Sequence, residues 1–116
     1  MKKITVRQLR KLGACHEEIF NFRKIFGRSV KVTRQLAMVH ALDFGWNQAS
    51  AWLLHHDSYI SFSEEYARIY REYYAARAKI SLLYVDRLWA HAADEGLRRE
   101  YLRQLADLFA KLYLEQ

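Results

Sequence analysis

The chain has 116 residues, 52% of them hydrophobic and 28% charged, with a net charge of +6. That is one domain's length with enough apolar material for a core, which argues against a disordered tail. One cysteine excludes an intramolecular disulfide, and no apolar run reaches the roughly 18 residues of a membrane span.

The charge is unevenly placed. Up to Arg34 there are ten Lys/Arg against two acids, a local charge of +8; the remaining residues have nine bases against eleven acids. A basic end on a near-neutral body points to a polyanion or an acidic protein surface as partner. A lone cysteine suits a reducing compartment, and Met1–Leu12 lacks the apolar stretch of a signal peptide, so the expected location is the cytoplasm.

No proline and only four glycines favour helices with short connections. Thr5 with Gln8 fits a capping box and Gly13 a stop, predicting a helix over Val6–Leu12. His16–Phe26 reads as a second helix ending at Gly27, with Ile19, Phe20, Phe22 and Phe26 on its apolar side. Ser29–Val32 is a short extended link. Thr33 caps a third helix, Arg34–Leu42, and Asp43-Phe44-Gly45 breaks it. A fourth, Trp46–His55, turns Trp46, Ala49, Trp52 and Leu53 inward.

Ser61 with Glu64 forms a second capping box, and no breaker follows until Gly96, so Phe62–Glu95 is expected as one long helix. Its stripe Phe62, Tyr66, Ile69, Tyr73, Ala76, Ile80, Leu83 alternates steps of four and three. A second line, Tyr70, Tyr74, Arg77, Ser81, Tyr84, Leu88, lies about 90° round the helix. Glu64, Arg68, Arg71, Glu72, Lys79 and Asp86 occupy the far side. After Gly96, Leu97–Leu114 is the last helix, with Leu97, Tyr101, Leu105, Leu108 and Leu112 in its stripe. The long helix outruns this partner, so its first half is expected to pack on the N-terminal helices or another molecule.

The expected fold is all-α: one domain over 1–116, with four short helices in a basic part (1–57) packed on a long helix–Gly turn–helix hairpin (58–116).

The first half resembles a family of small phage and prophage proteins. The resemblance rests on Gly13-Ala14-Cys15, Phe26-Gly27, Val30-x-Val32-Thr33, Asp43-Phe44-Gly45-Trp46 and Trp52-Leu53-Leu54. Glu65-Tyr66, Glu72-Tyr73 and Glu100-Tyr101 are similar to tyrosine-rich stretches that follow in that family. Gln8–Leu54 carries most of the likeness, and the glycine before Trp46 departs from it. The resemblance implies a bacteriophage or mobile-element origin and a bacterial host cell, and it brings no catalytic residues. Small proteins from that source are often stoichiometric inhibitors of host defence, anti-CRISPR proteins among them; this link is one of association.

Candidate chemistry is sparse. Cys15 precedes a helix but has no recognisable His–Asn/Asp partners, and is expected to be structural. His55-His56-Asp57, and His91 with Asp94 or Glu95, are incomplete ligand sets, so neither metal nor cofactor is expected. No phosphate-loop, dinucleotide, zinc-protease or serine-hydrolase motif occurs, and the chain is not expected to be an enzyme. Residues 33–54 have a helix-turn-helix outline, yet no Lys or Arg occurs from Gln35 through Ala67, which disfavours a major-groove reader.

Two surfaces remain. Six of the eight tyrosines lie from Tyr59 to Tyr84, interleaved with arginines, and Tyr and Arg are enriched at interface hot spots. Tyr70, Tyr74, Arg77 and Tyr84 flank the core stripe and are the partner-binding candidates, for a host protein or ribonucleoprotein complex. Arg7, Arg10, Lys11, Arg23, Lys24 and Arg28 are the alternative, a face for a nucleic-acid backbone; the plainer account is a solvated face with bases at helix C-termini. The heptad-like seam also leaves a homodimer open. The leading expectation is a non-enzymatic interaction protein that inhibits or redirects a host complex.

Overall fold

Thr5 and Thr33 start helices as their positions suggest. In the computed structural model, which describes residues 2–83 and 87–116, Thr5 Oγ1 accepts from the Gln8 amide and Thr33 Oγ1 from the Leu36 amide, both at 3.0 Å. Each cap satisfies an otherwise orphaned helix N–H, worth about 1 kcal/mol. The elements run β1 (Lys3–Thr5), α1 (Val6–Lys11), α2 (His16–Phe26), β2 (Ser29–Lys31), α3 (Arg34–Val39), α4 (Trp46–Leu53), α5 (His56–Leu83) and α6 (Arg87–Glu115). The fold is mostly helical with one small two-stranded sheet.

That sheet contains the extended link. β1 and β2 pair antiparallel, with Lys3 opposite Lys31, Ile4 opposite Val30 and Thr5 opposite Ser29. Three-residue strands carry too little alternation to be read from sequence. Between them, α1 closes on a Schellman motif: the Gly13 amide donates to the Arg10 carbonyl and the Ala14 amide to the Leu9 carbonyl. Gly13 supplies the left-handed backbone at φ +84°. Gly27, at φ +80° and ψ −142°, ends α2 and turns the chain into β2.

α6 is the central helix. It packs against α5 along its length and against α3 and α4 on another side. Its buried residues are Leu105, Ala106, Phe109, Ala110 and Tyr113, while Tyr101, Leu108 and Leu112 from the expected stripe are only half-buried. A helix covered on two sides needs apolar residues over much of its girth, so one stripe under-describes it. Phe22, Phe44, Trp46 and Phe109 form an aromatic chain, with successive ring centroids at 5.9, 4.9 and 5.4 Å. Trp46 Nε1 donates to the His40 carbonyl at 3.0 Å, satisfying the buried indole. A bidentate pair, both contacts 2.8 Å, holds Arg34 at the start of α3 to Asp107 of α6.

Several expectations are corrected. Gly96 lies inside α6 and is helical, so the hairpin turn is not there. α5 and α6 have 28 and 29 residues, so the long helix does not outrun its partner. Their antiparallel pairing is fixed by Tyr66 against Tyr101 and Arg77 against Asp94. α5 begins at His56, which puts Ser61 and Glu64 within it rather than at its cap. The third helix stops at Val39 and the fourth at Leu53. Leu88 belongs to α6, not to a line along α5. Phe20 is exposed rather than on the inner side of α2, and Cys15 is exposed rather than packed. Tyr84 and Asp86 lie outside the described residues, as does the side chain of Leu83.

Candidate functional site

The Schellman turn after α1 folds α2 back beside it, and the Gly27 turn brings Arg28 to the start of α1, where the Val6 amide donates to the Arg28 carbonyl at 2.9 Å. Arg7 and Arg10 from α1, Arg23 from α2 and Arg28 therefore line one groove of about 310 Å³, together with Thr5 and Val6. Arg10 and Arg23 also line a neighbouring groove of about 830 Å³, with Lys24, Ala14, His16, Ile19 and Phe20. Five of the six sequence candidates thus meet on one continuous surface. Lys11 lines neither groove, but it is exposed one turn after Arg7 on the same side of α1.

Structure adds Lys3 and Lys31 to this set. They sit directly opposite each other across the ribbon and are exposed, and like charges in that position repel. Thr5 and Ser29 are the next pair on that face of the ribbon, and Thr5 lines the arginine groove. The signal for Lys3 and Lys31 is strand pairing, which spacing along the chain does not reveal.

Two of the ten N-terminal bases are committed elsewhere. Lys2 donates to the carbonyls of Tyr113 and Gln116, and Arg34 holds Asp107. The other eight are exposed, and none makes an ion pair among the described residues. Glu17 and Glu18 line a different groove, with Cys15, Asn21 and Gln48. The positive face therefore has no internal neutralisation.

The tyrosine surface is built differently. Tyr66, Tyr70, Tyr73, Tyr74 and Tyr101 form a ladder between α5 and α6, with Tyr73 stacked on Tyr101 at 4.4 Å and the Tyr70 and Tyr74 rings tilted against each other at 4.4 Å. Tyr101 Oη donates to Tyr66 Oη at 3.1 Å. Burial, followed by this bond, pushes the Tyr101 phenol above its ordinary range. Tyr70 and Tyr74 are 41% and 46% exposed. Arg77 is already engaged: Nε contacts Asp94 at 2.8 Å, and the guanidinium lies 5.7 Å from the Tyr73 and Tyr74 rings. Two of the four partner-binding candidates are therefore exposed rings, one is held internally, and Tyr84 is outside the described residues.

Other candidates assemble no chemistry. Among the described residues no three His, Cys, Asp or Glu are grouped to hold a metal. α4, the would-be recognition helix, buries Trp46, Ala49, Ser50 and Leu53 in the core. Among the described residues no helix is long and apolar enough to cross a membrane. In comparison with known proteins, no family model, curated protein or solved structure matches the chain.

Proposed function

We propose that this chain is a non-enzymatic binding protein whose basic face takes the phosphate backbone of a nucleic acid. One observation carries the reading: of eight exposed Lys/Arg without an ion pair among the described residues, five from α1, α2 and the Gly27 turn line two adjoining grooves, while the two acids of the same segment line another. Uncompensated like charge costs stability unless an anion answers it, and a polyanion repays it by releasing its own counterions. The test is a gel-shift and anisotropy series with single-stranded and duplex DNA and RNA over a range of salt. Replacing Arg7, Arg10, Arg23 and Arg28 with Ala should leave the melting temperature near that of the parent. It should weaken binding to all sequences alike and flatten the slope of log K against log salt. Unchanged affinity and slope in this variant would exclude the face as a nucleic-acid site.

A second reading draws on the exposed Tyr70–Tyr74 pair. On it, the chain is a phage-type factor that inhibits or redirects a host complex, a CRISPR defence complex among them, through Tyr70, Tyr74, Arg77 and Tyr84. Arg77 would then have to exchange its bond to Asp94 for one to the partner. A pull-down from bacterial lysate with Tyr70→Ala/Tyr74→Ala tests it: capture must be lost while the melting temperature barely moves.

A further inference from the structure

We infer that the larger groove is a single-strand site in which Phe20 stacks a base while Arg10, Arg23 and Lys24 hold the flanking phosphates. The inference rests on the proposed backbone-binding function and adds which form of nucleic acid is preferred and why.

Phe20 is the observation that backbone binding alone does not need. It is 68% exposed, on the opposite side of α2 from Phe22, which is fully buried. The ring is not isolated in a polar field. It lines a groove of about 830 Å³ floored by Ala14 and Ile19 and edged by His16, Arg10, Arg23 and Lys24. That volume lies in the range of about 300–1,000 Å³ found for small-molecule sites, enough for a nucleobase. The helix sets the order: His16 lies one turn before Phe20, and Arg23 and Lys24 lie one turn after it. An exposed ring sharing a groove with Arg10, Arg23 and Lys24 is the arrangement that binds unstacked bases, because every base has a π-face and every linkage a charge. A duplex keeps its bases stacked inside and offers this ring nothing.

The arginine groove beside it, sharing Arg10 and Arg23, extends the track toward Arg7 and Arg28. The chain thus combines one stacking position with a charged path, which gives single-strand preference with little sequence preference.

The test uses the full chain with a labelled oligothymidylate and oligouridylate of about 12 nucleotides, within the site sizes of single-strand binders, and a duplex of the same length. Phe20→Ala should weaken single-strand binding by about 5- to 150-fold. It should leave duplex affinity, the salt slope and the melting temperature unchanged, and Phe20→Tyr should restore the affinity. Equal loss on single strand and duplex, or no loss on either, overturns the stacking assignment. If Phe20→Ala is silent while Arg10→Ala/Arg23→Ala/Lys24→Ala weakens both forms, backbone binding stands and the single-strand site falls. If neither variant changes binding, or the parent binds no nucleic acid, both readings fall together and an acidic protein becomes the partner to seek.

Discussion

Single side chains hold this fold at a few long-range points, and the clearest is Asp107. Its carboxylate receives both arms of Arg34, tying α3 to α6 over 73 residues of sequence. The hydrogen bond from Arg34 lowers the Asp107 pKa, and the guanidinium's charge adds to it. A carboxylate with a depressed folded-state pKa contributes stability that is complete above the unfolded value, near 3.9, and is lost as pH falls through the folded value. Asp107→Asn should therefore be less stable than the parent at neutral pH, and the gap should close as pH drops from about 5 toward about 2. Urea midpoints across that range measure it. The pair is partly exposed, so the gap is small and should shrink further in high salt. A gap that stays constant with pH would mean that Asn disrupts packing rather than charge.

Elements followed the sequence where their signals are local. Thr5, Gly13, Thr33 and the run His16–Phe26 each specify a boundary through a cap or a turn within a few residues, and each is placed as the spacing suggests. What failed needed knowledge of the neighbours. Gly96 looks like a stop because glycine usually is one, but α6 is gripped by α3, α4 and α5 farther along, and one helical glycine costs only about 1 kcal/mol. The inner faces of α2 and α6 were only partly legible for the same reason: Phe20 is apolar by type, yet no neighbour covers it, and Phe109 lies off the leucine stripe but under Trp46. The arginines of the candidate site were legible as a charge excess, and their meeting on one surface depends on the two glycine turns. The Gly96 reassignment makes a sharp prediction. The residue is exposed, its φ is not positive, and an added Cβ would meet no heavy atom within 4 Å. Gly96→Ala should stabilise the protein by about 0.5–1 kcal/mol, seen as a higher urea midpoint at unchanged m-value. A left-handed turn at this position would give the opposite sign.

On the scale of the molecule, burial is concentrated at one end. The radius of gyration is 15.8 Å, against about 13 Å for a compact chain of similar length, and the longest dimension is 49 Å. α5 and α6 account for the excess, each running about 42–44 Å at 1.5 Å per residue. The start of α5 and the end of α6 lie in the packed half: Gln116 accepts from the His55 amide and donates to the Leu53 carbonyl, and Tyr113 Oη donates to the Lys3 carbonyl. Phe62 and Ile69 on α5, and α6 from Leu105 onward, belong to the core there. Beyond them, none of 70–80, 82 or 87–104 is fully buried. The far half of the hairpin is two helices side by side, held by the tyrosine ladder and the Arg77–Asp94 pair. A helix gains most of its stability from tertiary packing, so this half should open at lower free energy than the core. Amide hydrogen exchange should show protection that declines along α5 from Phe62 toward Ile80, and rises along α6 from Trp89 toward Phe109. Breaking the ladder's central contact with Tyr101→Ala should steepen that gradient, speeding exchange around Arg77 and Asp94 by more than around Phe109. If both ends of the hairpin exchange at the same slow rate, they unfold only with the whole molecule, and the far half must draw its stability from something other than the contacts described.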